Sequence, residues 1–392
     1  MPRQRGDRAQ EPNFCLALCV IGILLLAFAL RAHGQQSASP PSKVRNYYVA
    51  ADEVDWDYAP GGINTMMGMK FQGYSTTFIE RGPHRIGTVY RKALYREYTD
   101  DTFTHLKPRA PEWDHTGILG PILRAEVGDT IRIVFKNNAT RPYSMHPHGV
   151  FYDKDSEGAP YNDGTSGADK DDDAVPPGKT HIYTWKVPER AGPGPNDPSS
   201  IVWLYHSHTN EMKDVETGLI GAMIITRHGM ADADGKPKDV DREFVCLFMM
   251  LDENASWYLD HNIQTYTSDP KGVDKLEFKP VQDGIGTGFA AANLKFSVNG
   301  HMYGTGPMMT MKKGERVRWY LVALGEQFSV HTPHWHGNVV LHDGKRTDVV
   351  PLMQAQMETV DMVPDNPGVW MFHCHIDDHM DAGMVTLYKV EP

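Results

Sequence analysis

The chain of 392 residues is predicted to be all-β, two β-sandwich domains in series, and three observations carry that expectation. Short β-branched and aromatic runs, such as Thr130–Phe135, His181–Val187, Ile220–Thr226 and Val317–Val322, alternate with Gly/Pro turns. No long stretch has the spacing of an amphipathic helix. The third observation is an internal repeat. In the first half, Glu126–Phe135 leads to Tyr143 and then to His146-Pro-His148-Gly149; in the second, Lys313–Leu321 leads to His331 and then to His334-Trp-His336-Gly337. Further along, Trp203-Leu-Tyr-His206-Ser-His208 is answered by Trp370-Met-Phe-His373-Cys-His375. His146 and His334 are 188 residues apart, His206 and His373 only 167, so the first copy holds an extra 21 residues within 153–200.

The elements follow in order. Residues 1–34 combine Arg3, Arg5 and Arg8, an uncharged run from Phe14 to Leu30, and small residues at Ala32 and Gly34, the pattern of a secretory signal cleaved before Gln35. A retained membrane anchor is the alternative, at the short edge of spanning length. Cleavage implies a secreted or periplasmic protein with no membrane partner. Domain 1 is expected over 44–227, a polar linker over 228–241 and domain 2 over 242–392. The inserted loop carries Asp169-Lys-Asp-Asp-Asp173. Such a charge run is expected to be a solvated face; the sharper reading is a calcium site, since Ca²⁺ collects oxygen ligands from acidic loops.

Lys+Arg 39 against Asp+Glu 50 gives a net charge of −11, which excludes a general nucleic-acid surface. Cleavage would leave two of the four cysteines, too few and too differently placed for a disulfide framework. Cys246, in a hydrophobic run, reads as buried packing. Cys374 needs another explanation.

Ten histidines fall in four segments: His146 and His148; His206 and His208; His331, His334 and His336; His373, His375 and His379. Each contains His-x-His, and on a strand positions i and i+2 share a face, so both imidazoles can converge on a metal. Around Cys374, His379 lies five residues on and Met384 ten, giving thiolate, imidazole and thioether from one loop, with His331 available as a second imidazole. Two histidines, a cysteine and a weak axial methionine make a blue-copper electron-transfer site. Strand alternation turns Cys374 away from His373 and His375, so one tripeptide joins that copper to a second metal centre.

These segments resemble the multicopper oxidases, and more narrowly their ceruloplasmin and hephaestin branch, as do Thr140–Gly149 and Asp252–Leu259. The resemblance implies two cupredoxin-like Greek-key sandwiches and four coppers per chain. His331, Cys374, His379 and Met384 would hold one type 1 copper. His146 and His334 would hold one type 2 copper, and His148, His206, His208, His336, His373 and His375 the two type 3 coppers. In the first copy Tyr143 stands for His331, Ser207 for Cys374 and Leu219 for Met384, so domain 1 holds no type 1 copper and only half of the trinuclear set. The family's two-domain members imply a homotrimer with trinuclear clusters between chains.

Electrons are then expected to enter at the type 1 copper and to reduce dioxygen to water. The family's ferroxidases bind iron with an Asp before the type 1 His, matched by Asp378, and with a Glu and a His placed eight and three residues before an Asn-Gly pair. Ala291 and Phe296 occupy those two places and cannot bind iron. By elimination a laccase-like oxidase of phenols or aromatic amines is expected, with Asp378 as the acid on the substrate side. The alternatives are a metallo-oxidase for Fe(II) or Cu(I) and a copper nitrite reductase. Clustered methionines (Met66, Met67 and Met69; Met302, Met308, Met309 and Met311) bear on Cu(I), although core filling is the expected role. A non-catalytic electron carrier or interaction module would have lost ligands.

Overall fold

The structure, a computed structural model, describes residues 42–325 and 329–392. The expected signal over 1–34 lies outside these residues. Among those described, no helix is long and apolar enough to cross a membrane.

The first half supplies β1 (Val44–Asp57), β2 (Val89–Glu97), β3 (Leu123–Glu126), β4 (Thr130–Asn137), β5 (His146–Pro147), β6 (Thr180–Lys186), β7 (Ser200–His206) and β8 (Ile220–Thr226). The second supplies β9 (Arg242–Asp252), β10 (Leu294–Val298), β11 (Met309–Lys312), β12 (Val317–Ala323), β13 (Pro333–Trp335), β14 (Met357–Met362), β15 (Gly368–Cys374) and β16 (Val385–Glu391). One sheet of the first half runs β2-β1-β4-β6 and the other β3-β8-β7-β5; the second half runs β10-β9-β12-β14, extended by two short strands, and β11-β16-β15-β13. Each strand of the second half thus takes the place of the strand eight before it. The chain is all-β and cupredoxin-like in architecture.

Sequence explains which strands lie deep. β6 reads Thr-His-Ile-Tyr-Thr-Trp-Lys, and Tyr183 and Trp185 face inward while their neighbours face water. β8 and β12 carry continuous apolar runs and are buried along their whole length. Gly149 and Gly337 each follow a His-x-His pair at φ +74° and +73°; a side chain there would strike the indole of Trp203 or Trp370. Only glycine meets both requirements.

The residues over 228–241 do not separate the halves. A single hydrophobic cluster takes Tyr58, Phe78 and Leu204 from the first and Phe248, Trp319 and Phe372 from the second. His115 adds a polar link, its Nε2 accepting the Val245 N–H at 3.1 Å while Nδ1 donates to the Glu112 carbonyl. A fully buried ion pair joins Lys92 to Glu253, and the Tyr58 hydroxyl donates to the same carboxylate at 2.5 Å. Removing one member of such a pair would cost about 3–5 kcal/mol.

One expectation is corrected in part. Asp172 and Asp173 are buried, so the acidic run is a solvated face only at Asp169 and Asp171. Asp172 accepts the Gly158 N–H at 2.6 Å, and Lys170 reaches Asp173 at 3.3 Å. His115 is buried at the junction. His301 is half-buried against Trp56. The methionines divide: Met302, Met309 and Met311 fill the core, whereas Met67, Met69 and Met308 are exposed. Cys246 is buried as expected, its thiol 3.7 Å from the Met309 sulfur.

Candidate metal centre

β15 ends in His373 and Cys374, and β13 runs antiparallel beside it, with His334 opposite His373 and Pro333 opposite Cys374. The pleat therefore sends imidazoles to one side and the thiol to the other. On the thiol side, ligand atoms of His331, Cys374 and His379 lie within 4.8 Å of one another, with Sγ 3.7 Å from His379 Nδ1. His379 comes from the short helix α1 (Asp377–Asp381), and Met384 is fully buried just beyond it. The Cys374 N–H donates to the Met384 carbonyl at 3.1 Å, which ties the two ends of the loop together.

This pocket fits a soft metal by its own unsatisfied chemistry. His331 Nε2 is engaged by the Ser329 hydroxyl at 2.7 Å, while its Nδ1 is buried without a partner among the described residues. Burial and the neighbouring His379 hold His331 neutral, with its pKa lowered to about 3. His379 is shifted down as well, chiefly by burial. Without a metal, burial pushes the Cys374 thiol up. The Thr332 N–H points at Sγ from 3.4 Å, a donor suited to a thiolate.

On the opposite side, His334 Nδ1 and His336 Nε2 approach His373 Nε2 to 3.2 and 3.0 Å, and His375 completes the group through its ring contacts with His334 and His373. His373 Nδ1 faces the Cys374 carbonyl at 2.7 Å, which assigns the proton to Nδ1 and leaves Nε2 for a metal. Burial lowers the His373 pKa to about 4.

The first half builds the matching quartet from His146, His148, His206 and His208, with ring centroids 5.0–5.8 Å apart. His146 Nδ1 is held by the Glu157 carbonyl at 2.7 Å, and His148 Nε2 faces His206 Nε2 at 3.1 Å. Among the described residues, no ring contact or hydrogen bond joins one quartet to the other. Each is partly open to solvent, His375 most of all.

Behind the first quartet, Tyr143, Ser207 and Leu219 stand where the repeat puts them. The Ser207 hydroxyl donates to Asp214 at 2.7 Å, closing the pocket without a metal. Asp214 was not legible in the sequence, because it lies seven residues beyond Ser207 whereas His379 lies five beyond Cys374. Ser329, Thr332, Asp348 (3.6 Å from His334) and Glu211 (3.2 Å from His208) were also missed. Only their nearness to ligands in sequence or across a strand marks them. At the expected iron positions, Ala291 is buried and the Phe296 ring lies 4.9 Å from that of His379. Asp377, Asp378 and Asp381 are exposed beside it.

Two family models, both described as multicopper oxidase, match residues 115–229 and 278–392. The chain is 46% identical to the human protein Ferroxidase HEPHL1 over 350 residues, 88% of this chain and 29% of that one. It is 42% identical to rat Hephaestin over 374 residues (94% and 31%) and 39% identical to human Ceruloplasmin over 353 (88% and 30%). The chain therefore spans about three-tenths of the length of the curated relatives it matches. A solved structure described as a multicopper oxidase superposes with a TM-score of 0.54 at 21% identity, covering 89% of both chains. A copper nitrite reductase from Nitrosomonas europaea gives 0.54 at 17%, covering 89% of this chain and 94% of that one. These two likenesses speak to fold alone. With both family models matched and this set of relatives, the chain belongs to the multicopper oxidase family, in its ceruloplasmin- and hephaestin-like branch.

Proposed function

We propose that the protein couples one-electron oxidation of a metal ion, Fe(II) before Cu(I), to the reduction of dioxygen to water. The observation that carries this reading is the tripeptide His373-Cys374-His375, whose thiol joins one ligand set and whose imidazoles join another on the opposite side. Copper in the first set supplies a one-electron acceptor, and copper in the second supplies a place where four electrons meet dioxygen. His331, Cys374, His379 and Met384 would hold one type 1 copper. The eight quartet imidazoles would hold one type 2 and two type 3 coppers, four per chain in all. Because no ring contact or hydrogen bond joins the quartets among the described residues, we infer that a homotrimer brings the first quartet of one copy to the second quartet of the next.

The relatives named as a ferroxidase favour a metal ion over the phenols expected from sequence. Ala291 and Phe296 still exclude an enclosed iron site. The acids Asp377, Asp378 and Asp381 on α1 instead offer a cation an exposed approach to His379, with the Phe296 ring closing the other side. Asp378, next to His379, is the first contact for that cation. In the inserted loop, the Oδ1 of Asp172, buried and without a partner among the described residues, supports a bound calcium ion, whose positive charge would offset the carboxylate; burial lifts its pKa to about 6. An exported location rests on the reading of residues 1–34.

Oxygen uptake by the copper-loaded protein, offered Fe(II), Cu(I) and a phenol in parallel, tests the function. Fastest uptake with Fe(II) supports it. Phenol leading would return the substrate to the laccase-like class, and no uptake at full copper loading would sink the oxidase.

A further inference from the structure

Beside the junction, the first half carries a cleft of about 660 Å³ that opens to solvent, a size typical of small-molecule sites. One of its walls is the loop 113–121, which is fixed from several directions. Ile118 N–H donates to the Asn299 carbonyl at 3.1 Å, Gly120 N–H to the Ile220 carbonyl at 2.8 Å, and the Tyr205 hydroxyl to the Pro121 carbonyl at 2.6 Å. A side chain at Gly117 would strike the Asn299 carbonyl and one at Gly120 the Tyr205 hydroxyl, so only glycine lets the backbone lie this close. Trp56, another lining residue, donates its indole N–H to the Gly300 carbonyl at 2.8 Å. Two separate parts of the lining are thus tied to one turn of the second half, Asn299-Gly300.

Four cationic side chains line the cleft, and three of them are matched. Arg124 makes a two-pronged pair with Glu243 at 2.8 and 3.2 Å, Lys107 reaches Glu97 at 2.9 Å, and Arg96 reaches Asp52 at 3.7 Å. Arg109 has no carboxylate within ion-pair distance among the described residues. Its guanidinium donates instead to the Gly117 and Leu119 carbonyls, at 2.8 and 2.7 Å. Two carbonyls hold a guanidinium in place but leave its charge unbalanced. The lining around it is largely apolar, with Leu94, Leu106, Leu119, Ile122, Trp56 and Trp113. We propose that the cleft binds an aromatic carboxylate, its anionic group on Arg109 and its rings against the indoles and aliphatic side chains. A pre-placed guanidinium matches the planar carboxylate, and flat indoles suit a flat ring. A neutral aromatic molecule would leave Arg109 unbalanced, and an inorganic anion would leave the apolar lining wet. Because the lining is tied to Asn299-Gly300, the bound ligand also braces one half against the other and stabilises the folded chain.

Binding needs no electron transfer, so the test stands whether or not the protein reduces dioxygen. Equilibrium dialysis of the copper-loaded protein measures its affinity for 2-naphthoate and for 2-naphthalenemethanol, a neutral molecule with the same rings. The expected result is one naphthoate per chain, bound about tenfold more tightly than the alcohol. Arg109→Gln should weaken naphthoate about tenfold and leave the alcohol unchanged. That change also loosens the loop, so a second variant acts from elsewhere: Leu106→Trp, at a lining residue 38% exposed, fills the cleft and should weaken both molecules. Saturating naphthoate should raise the unfolding midpoint of the wild type and leave that of Leu106→Trp unmoved. Naphthoate held on copper instead would survive both substitutions. That survival, equal affinity for the two molecules, displacement of naphthoate by equimolar inorganic phosphate, or no binding at all overturns the proposal.

Discussion

The two pockets behind the His-x-His segments share one backbone frame and differ in what fills it. In the first half, Ser207 N–H donates to the Leu219 carbonyl at 3.1 Å; in the second, Cys374 N–H donates to the Met384 carbonyl at the same distance. The strand register agrees, with His206 opposite Ile220 and His373 opposite Val385. The first pocket satisfies itself. Asp214 accepts from the Ser207 hydroxyl, the Asn210 N–H and the Trp257 indole at 2.7–2.9 Å. Tyr143 meets the Tyr258 hydroxyl at 3.3 Å. The second pocket leaves His331 Nδ1 unpaired among the described residues and a thiol displaced upward in pKa. A fold that can close this pocket with hydrogen bonds, and does so once, has left the other copy open for a metal.

The largest effect is expected from making the second pocket like the first. Cys374→Ser removes the thiolate and the link to His373 and His375, so oxygen uptake should vanish while the quartets keep their copper. Uptake that survives would break the comparison at its centre.

Next comes the first pocket. Asp214→Ala strands three donors in a buried site and should cost about 4 kcal/mol, read as a lower midpoint in denaturant unfolding. The thiolate–copper colour should stay unchanged, because that pocket plays no part in electron entry.

A smaller effect concerns the junction that holds the two halves in one body. Burial lowers the His115 pKa to about 4, below its unfolded value of about 6.5. The unfolded chain takes up the proton first. The contribution of His115 is therefore complete above pH 6.5 and is lost as the pH falls toward 4, by up to ~3 kcal/mol. Unfolding free energies of wild type and His115→Gln, compared at pH 7 and pH 5, should converge at the lower pH. A gap that widens there would contradict this.

The smallest change should follow Ser207→Cys. A thiol alone, facing Tyr143 and Asp214 rather than two imidazoles, should add no second thiolate-bound copper.

Most of the second pocket was legible in the sequence because its ligands lie within one short loop, and strand alternation fixes which way each faces. The repeat likewise exposed Tyr143, Ser207 and Leu219. Asp214 was hidden by a loop two residues longer, and a carboxylate has no meaning there until the hydrogen bonds are seen. The burial of Asp172, Asp173 and His115 was not legible for a related reason. A polar residue is placed at the surface by default, and only tertiary partners distant in sequence, such as Gly158 or Val245, make its burial affordable. The shared core was equally invisible, since apolar patterning shows that a strand is buried but not against which half.

The most direct measurement is total copper per chain in the native assembly, together with the absorption of thiolate-bound Cu(II). Four coppers per chain, one of them thiolate-bound, are expected. A copper-loaded protein with no thiolate band, or with two thiolate-bound coppers per chain, would contradict the assignment of one open pocket and one closed.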